Sequence, residues 1–236
     1  MRKTPAQHHL MRKLAAQSAV QASPHGEVLG DAYQLMLAQL TEHRRALKDI
    51  QSVERKIEFK RQILPDYDAW VDGVLSADAG GQDMVVATVT VWQIDVCQFA
   101  RALELGSYAI KHGLDMPDQY ERSLPVVLID EFSDAALAGK MATEDAQVLL
   151  PQVLSLTETF DAPDEARAKL HKAIGYALIG RLGRQESVVD ELPLDVVTPA
   201  LAQLTRALEL FQQIGVKKDV ERLERRLRKL SDAPAS

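Results

Sequence analysis

The side chains that could do chemistry in this 236-residue chain are mainly carboxylates, and their spacing argues against a catalytic centre. Asp66, Asp68 and Asp72 follow Pro65 closely enough to suggest a site for a divalent cation. Residues two apart on a helix face different directions, however, and the segment lacks the glycine and terminal glutamate of a calcium loop. We therefore predict no metal site, and a metal-dependent nuclease that uses these aspartates stays the enzymatic alternative.

Two common phosphate and nuclease motifs are incomplete. Gly139-Lys140 could be the end of a phosphate-binding loop. That loop requires a glycine at position 134 and a serine or threonine at position 141, but this chain has Asp134 and Met141. One class of nuclease holds a hard cation with a Pro-Asp motif that is followed along the chain by Asp/Glu-x-Lys. Here the order is reversed, because Glu58-Phe59-Lys60 precedes Pro65-Asp66. The histidines do not have zinc-ligand spacing. The sequence thus predicts no catalytic residue and no cofactor.

Basic side chains, in contrast, are concentrated where they could contact phosphates. Residues 1–26 contain four bases and no acid, and further bases lie between Asp31 and Pro65. The candidate nucleic-acid contacts are Arg2, Lys3, Arg12, Lys13, Arg44, Arg45, Lys48, Arg55, Lys56 and Lys60. Acids are interspersed with the bases of the second segment, and a solvated helix face without a ligand is the alternative interpretation.

The element that must position most of these bases is a predicted single helix from Asp31 to Leu64. Asp31 is a suitable N-cap with Gln34 completing a capping box, and Pro65 stops the helix. A four-three rhythm marks an apolar seam, which is formed by Met36, Leu40, Leu47, Ile50, Ile57 and Leu64. The seam predicts packing against other long helices, with the bases projecting outward.

A second four-three stripe predicts a core helix that Asp83 caps and that runs from Val85 to Ile110, with Gly113 just past its end. Cys97 lies one position off this stripe and is expected to be a buried structural thiol. The other predicted helices begin at Thr4-Pro5, Asp66, Val126, Thr143, Pro163, Thr198-Pro199 and Lys217. Together they predict an all-α protein with a long antiparallel helical hairpin or coiled-coil-like core and a C-terminal helical bundle.

Charge is segregated along the chain despite the modest net charge of −6. The net charge argues against a histone-like binder, whereas the basic ends and acidic middle suggest different partners for different parts. We expect a basic N-terminal arm or helix in residues 1–30, a long-helix core in 31–115 and a helical domain in 116–236. A single cysteine and the lack of a signal peptide or membrane span favour a reducing cytosol.

Several stretches between Thr4 and Arg228 resemble the small terminase subunit of P-two-like temperate tailed bacteriophages, also labelled the terminase endonuclease subunit. They are TPAQHHLMRKLAAQ, ILPDYDAWVDGVL, GGQDMVVATVTVWQID, ALELGSYAIKHGLDMP, PDEARAKLHKAIGYAL and GVKKDVERLERRL. The resemblance implies a subunit that binds the packaging or cohesive-end site of double-stranded phage DNA in the host bacterial cytoplasm. It also implies a ring-like homo-oligomer and a large terminase subunit that has the ATPase and nuclease centres.

On this basis the apolar seam is expected to be the oligomer interface and the bases are expected to contact DNA. Many weak phosphate contacts, one set from each subunit, would add up to a useful avidity. Two alternatives stay open: an endonuclease that itself cuts the cohesive-end site, and a helical adaptor that binds only the large subunit.

Overall fold

The computed structural model describes residues 4–22, 25–116, 121–185 and 187–232. Within these ranges the secondary structure is helical, apart from one isolated bridge between Glu27 and Gln82, so the predicted all-α class is confirmed. The chain divides into two compact units, Met1–Leu124 and Pro125–Ser236.

The first unit contains six α-helices and a 3-10 turn at Leu64–Asp66. The helices are α1 (Pro5–Gln21), α2 (Asp31–Asp49), α3 (Val53–Ile63), α4 (Asp68–Ala77), α5 (Met84–Asp95) and α6 (Phe99–Lys111). The second unit contains α7 (Leu124–Leu137), α8 (Thr143–Thr157), α9 (Asp164–Leu178), α10 (Leu194–Leu210) and α11 (Lys217–Ser231).

Helix α1 begins and ends where the sequence predicts. Thr4 accepts a hydrogen bond from the Gln7 backbone, and the Gln7 side chain accepts one from the Thr4 backbone at 2.7 Å, which completes a capping box. The helix packs on α4, where Gly73 leaves room for the backbone of α1: a Cβ at Gly73 would lie 2.3 Å from the Arg12 carbonyl oxygen. Residues 5–21 are therefore a docked helix.

The prediction of one helix from Asp31 to Leu64 is wrong. The backbone is extended at Ile50 and Ser52, and Ser52 becomes the N-cap of α3 by accepting from the Arg55 N–H at 3.3 Å. The chain turns back at these extended residues. As a result, the rings of His43 in α2 and Phe59 in α3 meet with centroids 6.0 Å apart. The N-terminal cap also differs: Gly30 is the N-cap, and Asp31 lies in the first turn.

The predicted core helix is likewise two helices. The N–H of Gln98 donates to the Gln93 carbonyl and that of Cys97 donates to the Ile94 carbonyl, both at 2.9 Å. These are the two bonds of a Schellman motif, with Cys97 in the left-handed position at φ 64°. Cys97 is exposed, so the prediction of a buried thiol is wrong. Asp83 caps α5 as predicted, by accepting from the N–H groups of Val85 and Val86.

Because both long helices are interrupted, the predicted long hairpin or coiled coil is not confirmed. In the second unit, helices occur in the predicted regions, but α10 begins at Leu194 and contains Pro199. The predicted cap at Thr198-Pro199 is therefore wrong. Helices α9 and α10 approach closely at Gly175, where a Cβ would lie 2.5 Å from the Leu204 side chain.

Candidate nucleic-acid interface

The reversal between α2 and α3 brings five of the ten candidate bases to the two helix ends that meet at an exposed turn of the first unit. We call this surface the basic tip; its bases are Arg44, Arg45, Lys48, Arg55 and Lys56. In a continuous helix the first and last of them would be about 18 Å apart along the axis at ~1.5 Å per residue. The turn instead places three on the last turns of α2 and two on the first turn of α3.

Most of the basic side chains of the tip are accessible to solvent, and so to a ligand. Arg45, Lys48 and Arg55 are exposed, whereas Arg44 and Lys56 are half-buried. Five bases and two acids, Asp49 and Glu54, lie between residues 44 and 56, so the tip is positive in a chain that is negative overall. This is the charge that a phosphate backbone attracts.

A cluster of rings under the tip fixes the angle between its two helices. The His43 Nδ1 lies 2.8 Å from the Tyr67 hydroxyl, and the Tyr67 ring in turn meets Trp92 edge-on at 5.9 Å between centroids. Phe59 also meets the His43 ring edge-on. Burial lowers the pKa of His43 and raises that of Tyr67. Both groups are therefore neutral at pH 7, and the positive charge of the tip comes from its lysines and arginines.

Lys60 does not belong to this surface. It forms an ion pair with Asp95 of α5, and only 14% of its side chain is exposed. The expectation that all bases of this segment project outward is therefore wrong for Lys60, because a carboxylate 35 residues away neutralises it. Its contribution is to hold α3 against α5.

The N-terminal candidates have a separate location on α1. Arg12 and Lys13 are exposed, whereas Ala15, Ser18 and Ala19 are buried against the rest of the unit. Arg2 and Lys3 lie outside the described residues. Because α1 packs on α4, Arg12 and Lys13 have a fixed position on a rigid surface.

The predicted oligomer seam lies largely inside the first unit. Met36, Leu40, Leu47 and Leu64 are buried there, and Ile50 and Ile57 are half-buried. These side chains stabilise the fold of a single chain, and their predicted role between subunits stays a prediction.

The three aspartates of the enzymatic alternative have different surroundings. Asp66 accepts from the Gln39 amide at 3.3 Å, and Asp72 forms an ion pair with Arg101. Asp68 lines a groove with Arg61 and Arg101, and burial raises its pKa while Arg101 opposes that shift. Across the described ranges no three His, Cys, Asp or Glu side chains are grouped as metal ligands. The geometry gives the nuclease hypothesis no support.

Sequence reasoning found the bases of the tip but missed the turn that gathers them. The available signal was Ser52, a preferred N-cap residue, followed by Glu54 in what becomes the first turn of α3. That signal is weak inside an otherwise regular apolar rhythm. Among the described residues, no helix is both long and apolar enough to cross a membrane.

The chain is similar to proteins of known families over most of its length. The family model described as phage small terminase subunit matches residues 37–165. The terminase endonuclease subunit of Escherichia phage P2 is 42% identical over 229 residues, which cover 95% of this chain and 86% of that protein. The probable terminase endonuclease subunit of Haemophilus phage HP1 is 25% identical over 206 residues, covering 86% of this chain and 73% of that protein. No solved structure matches the chain. The chain belongs to the phage small terminase subunit family.

Proposed function

We propose that this chain is the DNA-recognition subunit of a phage terminase and that its basic tip contacts the phosphates of duplex phage DNA. The observation that supports this most directly is the chain reversal at Ile50–Ser52, which brings five bases together, three of them exposed. Family membership and the terminase subunit names of the two relatives support a role in DNA packaging.

The tip is suited to phosphates rather than to a small anion. Its exposed bases, Arg45, Lys48 and Arg55, come from two helices on either side of the turn, so the positive charge is spread over more than one helix end. Such a surface fits a duplex, which has one negative charge per ~1.7 Å of axis. Within this proposal the tip positions the subunit on the packaging or cohesive-end site, and the large terminase subunit supplies ATP hydrolysis and cleavage.

Assembly into a ring-like homo-oligomer is part of the same proposal. A few phosphate contacts per subunit give weak binding alone, and several linked subunits multiply it by raising the effective concentration of each further contact. Because Met36, Leu40 and Leu47 already pack inside the unit, the subunit contacts would use other surfaces.

The test is salt-dependent binding of a labelled cohesive-end duplex to the full chain. In the double variant Arg45→Ala/Lys48→Ala, both side chains are exposed and lie three residues apart on α2. Losing two phosphate contacts should reduce the slope of log K against log salt by about 1.8, and at ~0.1 M salt should weaken binding roughly ten-fold or more.

A matched control removes the same charge elsewhere. Lys140 and Arg184 are exposed residues of the second unit, and the variant Lys140→Ala/Arg184→Ala should leave the slope close to that of the wild type. Equal slopes for the two double variants would refute the assignment of DNA binding to the tip. Cleavage of the duplex by the purified chain with magnesium, abolished by Asp68→Ala, would support the nuclease alternative instead.

A further inference from the structure

The last helix of the second unit presents a straight row of bases that the proposed tip does not use. Helix α11 contains seven basic and three acidic residues. Lys218, Arg222, Arg225 and Lys229 recur at steps of four, three and four, and all four are exposed. Residues with this spacing lie on one helix face, and they extend over about 16 Å at ~1.5 Å per residue. We call this row the basic stripe.

The fold holds this stripe outward. Val216, Val220 and Leu223 are buried against the rest of the second unit. Lys218, Arg222 and Arg225 each come two positions after one of these buried residues, which is a rotation of about 200° around the helix, and Lys229 comes two positions after the half-buried Leu227. The stripe is therefore opposite the packed face, where the whole row is open to a ligand.

Three polar contacts fix the rotation of α11 about its own axis. The buried carboxylate of Asp219 accepts from the Tyr176 hydroxyl at 2.8 Å and pairs with Arg181. The Arg226 Nε donates to the Leu192 carbonyl at 2.9 Å. Because these contacts tie the helix to α9 and to the segment before α10, the stripe has a defined direction before any ligand binds.

Few acidic side chains neutralise the positive charge of the stripe, whereas bases and acids are equal in number on the neighbouring face. Among the described residues, Lys218 and Arg222 have no hydrogen bond or ion pair, and Lys229 pairs with Asp190. The neighbouring face has two bases and two acids, Lys217, Glu221, Glu224 and Arg228, and the last two form an ion pair at 3.7 Å. Like charges at these spacings repel each other, and the attraction of Arg225 and Lys229 to Asp190 offsets part of that repulsion.

We propose that the basic stripe of α11 is a second contact surface for the phosphate backbone of duplex DNA, so that one chain holds DNA through two separate basic surfaces. This inference rests on the proposed function, which supplies the anionic ligand. An acidic protein surface fits less well. Protein interfaces have an apolar centre, whereas none of the described exposed large apolar side chains lies on α11.

Two linked surfaces change binding more than their separate strengths suggest. Once the tip has bound, the stripe meets DNA at an effective local concentration rather than at the bulk concentration. The stripe should therefore contribute to affinity even where its own binding to DNA is weak. Its contribution should be strongly salt-dependent, because each base that neutralises a phosphate releases counterions.

The test compares two double variants on the same helix. The stripe variant is Arg222→Gln/Arg225→Gln, and the control variant Lys217→Gln/Arg228→Gln removes the same charge from the neighbouring face. Both are measured in the full chain by anisotropy of a labelled duplex during a salt titration. The stripe variant should reduce the slope of log K against log salt by about 1.8, and the control should change it by less than half of that. Equal thermal midpoints would verify that both variants are folded.

Combination with the tip variant Arg45→Ala/Lys48→Ala separates this inference from the proposed function. If the slope of log K against log salt falls in each variant and the two losses add in the combined variant, both surfaces contact DNA. A loss only in the stripe variant supports the stripe and refutes the tip. A loss only in the tip variant, or equal slopes for the stripe and control variants, overturns the stripe. An unchanged slope together with altered sedimentation, or with weaker binding to the large subunit, also overturns it and assigns the stripe to a protein partner.

Discussion

Replacing Gly73 by alanine should loosen the contact between α1 and α4. The new Cβ would lie 2.3 Å from the Arg12 carbonyl oxygen and 2.7 Å from the Ala15 Cβ. Close carbon–oxygen contacts in proteins are about 3.3 Å, so the backbone of α1 must move away by ~1 Å. Forcing an extra methyl into a packed contact costs ~1–3 kcal/mol, and a backbone neighbour that cannot rotate away favours the upper part of that range.

Helix propensity offsets part of this cost. Alanine is favoured over glycine inside a helix by about 1 kcal/mol, so the expected net loss of unfolding free energy is about 1–2 kcal/mol. For a chain of this size the thermal midpoint should fall by roughly 3–6 °C. Because Arg12 and Lys13 are on α1, trypsin should also cleave there faster in the variant than in the wild type.

The matched control is Gly175→Ala in the second unit. There the new Cβ would meet the Leu204 Cδ2 and Cγ at 2.5 and 2.7 Å, and a leucine side chain can adjust where a carbonyl cannot. The control should therefore lose less stability, and its N-terminal cleavage should be unchanged. If Gly73→Ala is as stable as the wild type, or no less stable than Gly175→Ala, the close approach of α1 and α4 is refuted.

Two further predictions concern buried polar groups of the first unit. Asp83→Ala should lower the unfolding free energy by roughly 3 kcal/mol in urea titrations, because the buried carboxylate caps α5 and accepts from the Trp70 Nε1 at 2.8 Å. Asp83→Asn should lose less, and the difference should depend on pH. Burial raises the pKa of Asp83 from 3.8 to about 6, so the folded wild type takes up a proton first and gains stability relative to Asp83→Asn as pH falls from 7 to 5. His43→Gln should show the opposite trend. Burial lowers the pKa of His43, so the unfolded wild type is protonated first and loses stability relative to His43→Gln as pH falls through 6.5. If the difference in unfolding free energy between the wild type and either variant does not vary with pH, the pKa shift assigned to that residue is wrong.

The sequence predicted an element well where the signal was local. Thr4, Pro5 and Gln7 form a cap that depends only on neighbouring residues, and the structure has the helix that they predict. Asp83 likewise caps α5 through N–H groups two and three residues away. Such contacts join only neighbouring residues, so they can be predicted from residue type and spacing alone.

The interruption of the long helices could not be predicted in that way. Ile50 and Ile57 continue the apolar rhythm through the turn, and both are half-buried, so the rhythm gives no sign of a break. Neither a proline nor a glycine occurs between Asp31 and Ile63 to mark the break. Cys97 is similar, since the left-handed end of a helix is usually glycine and an exposed cysteine gives no such signal.

The candidate DNA surface combines both kinds of information. Residue type and helical position predicted which basic side chains point away from the core. The prediction failed for Lys60, because its ion-pair partner Asp95 is distant in sequence. What makes the remaining bases a single surface is the packing of His43, Phe59 and Tyr67, and none of these side chains is charged at pH 7. The charge density of the tip is thus a tertiary property. It follows that a change in this cluster of rings would alter the proposed DNA contact without removing a single base, by changing the angle at which α2 and α3 present their charges.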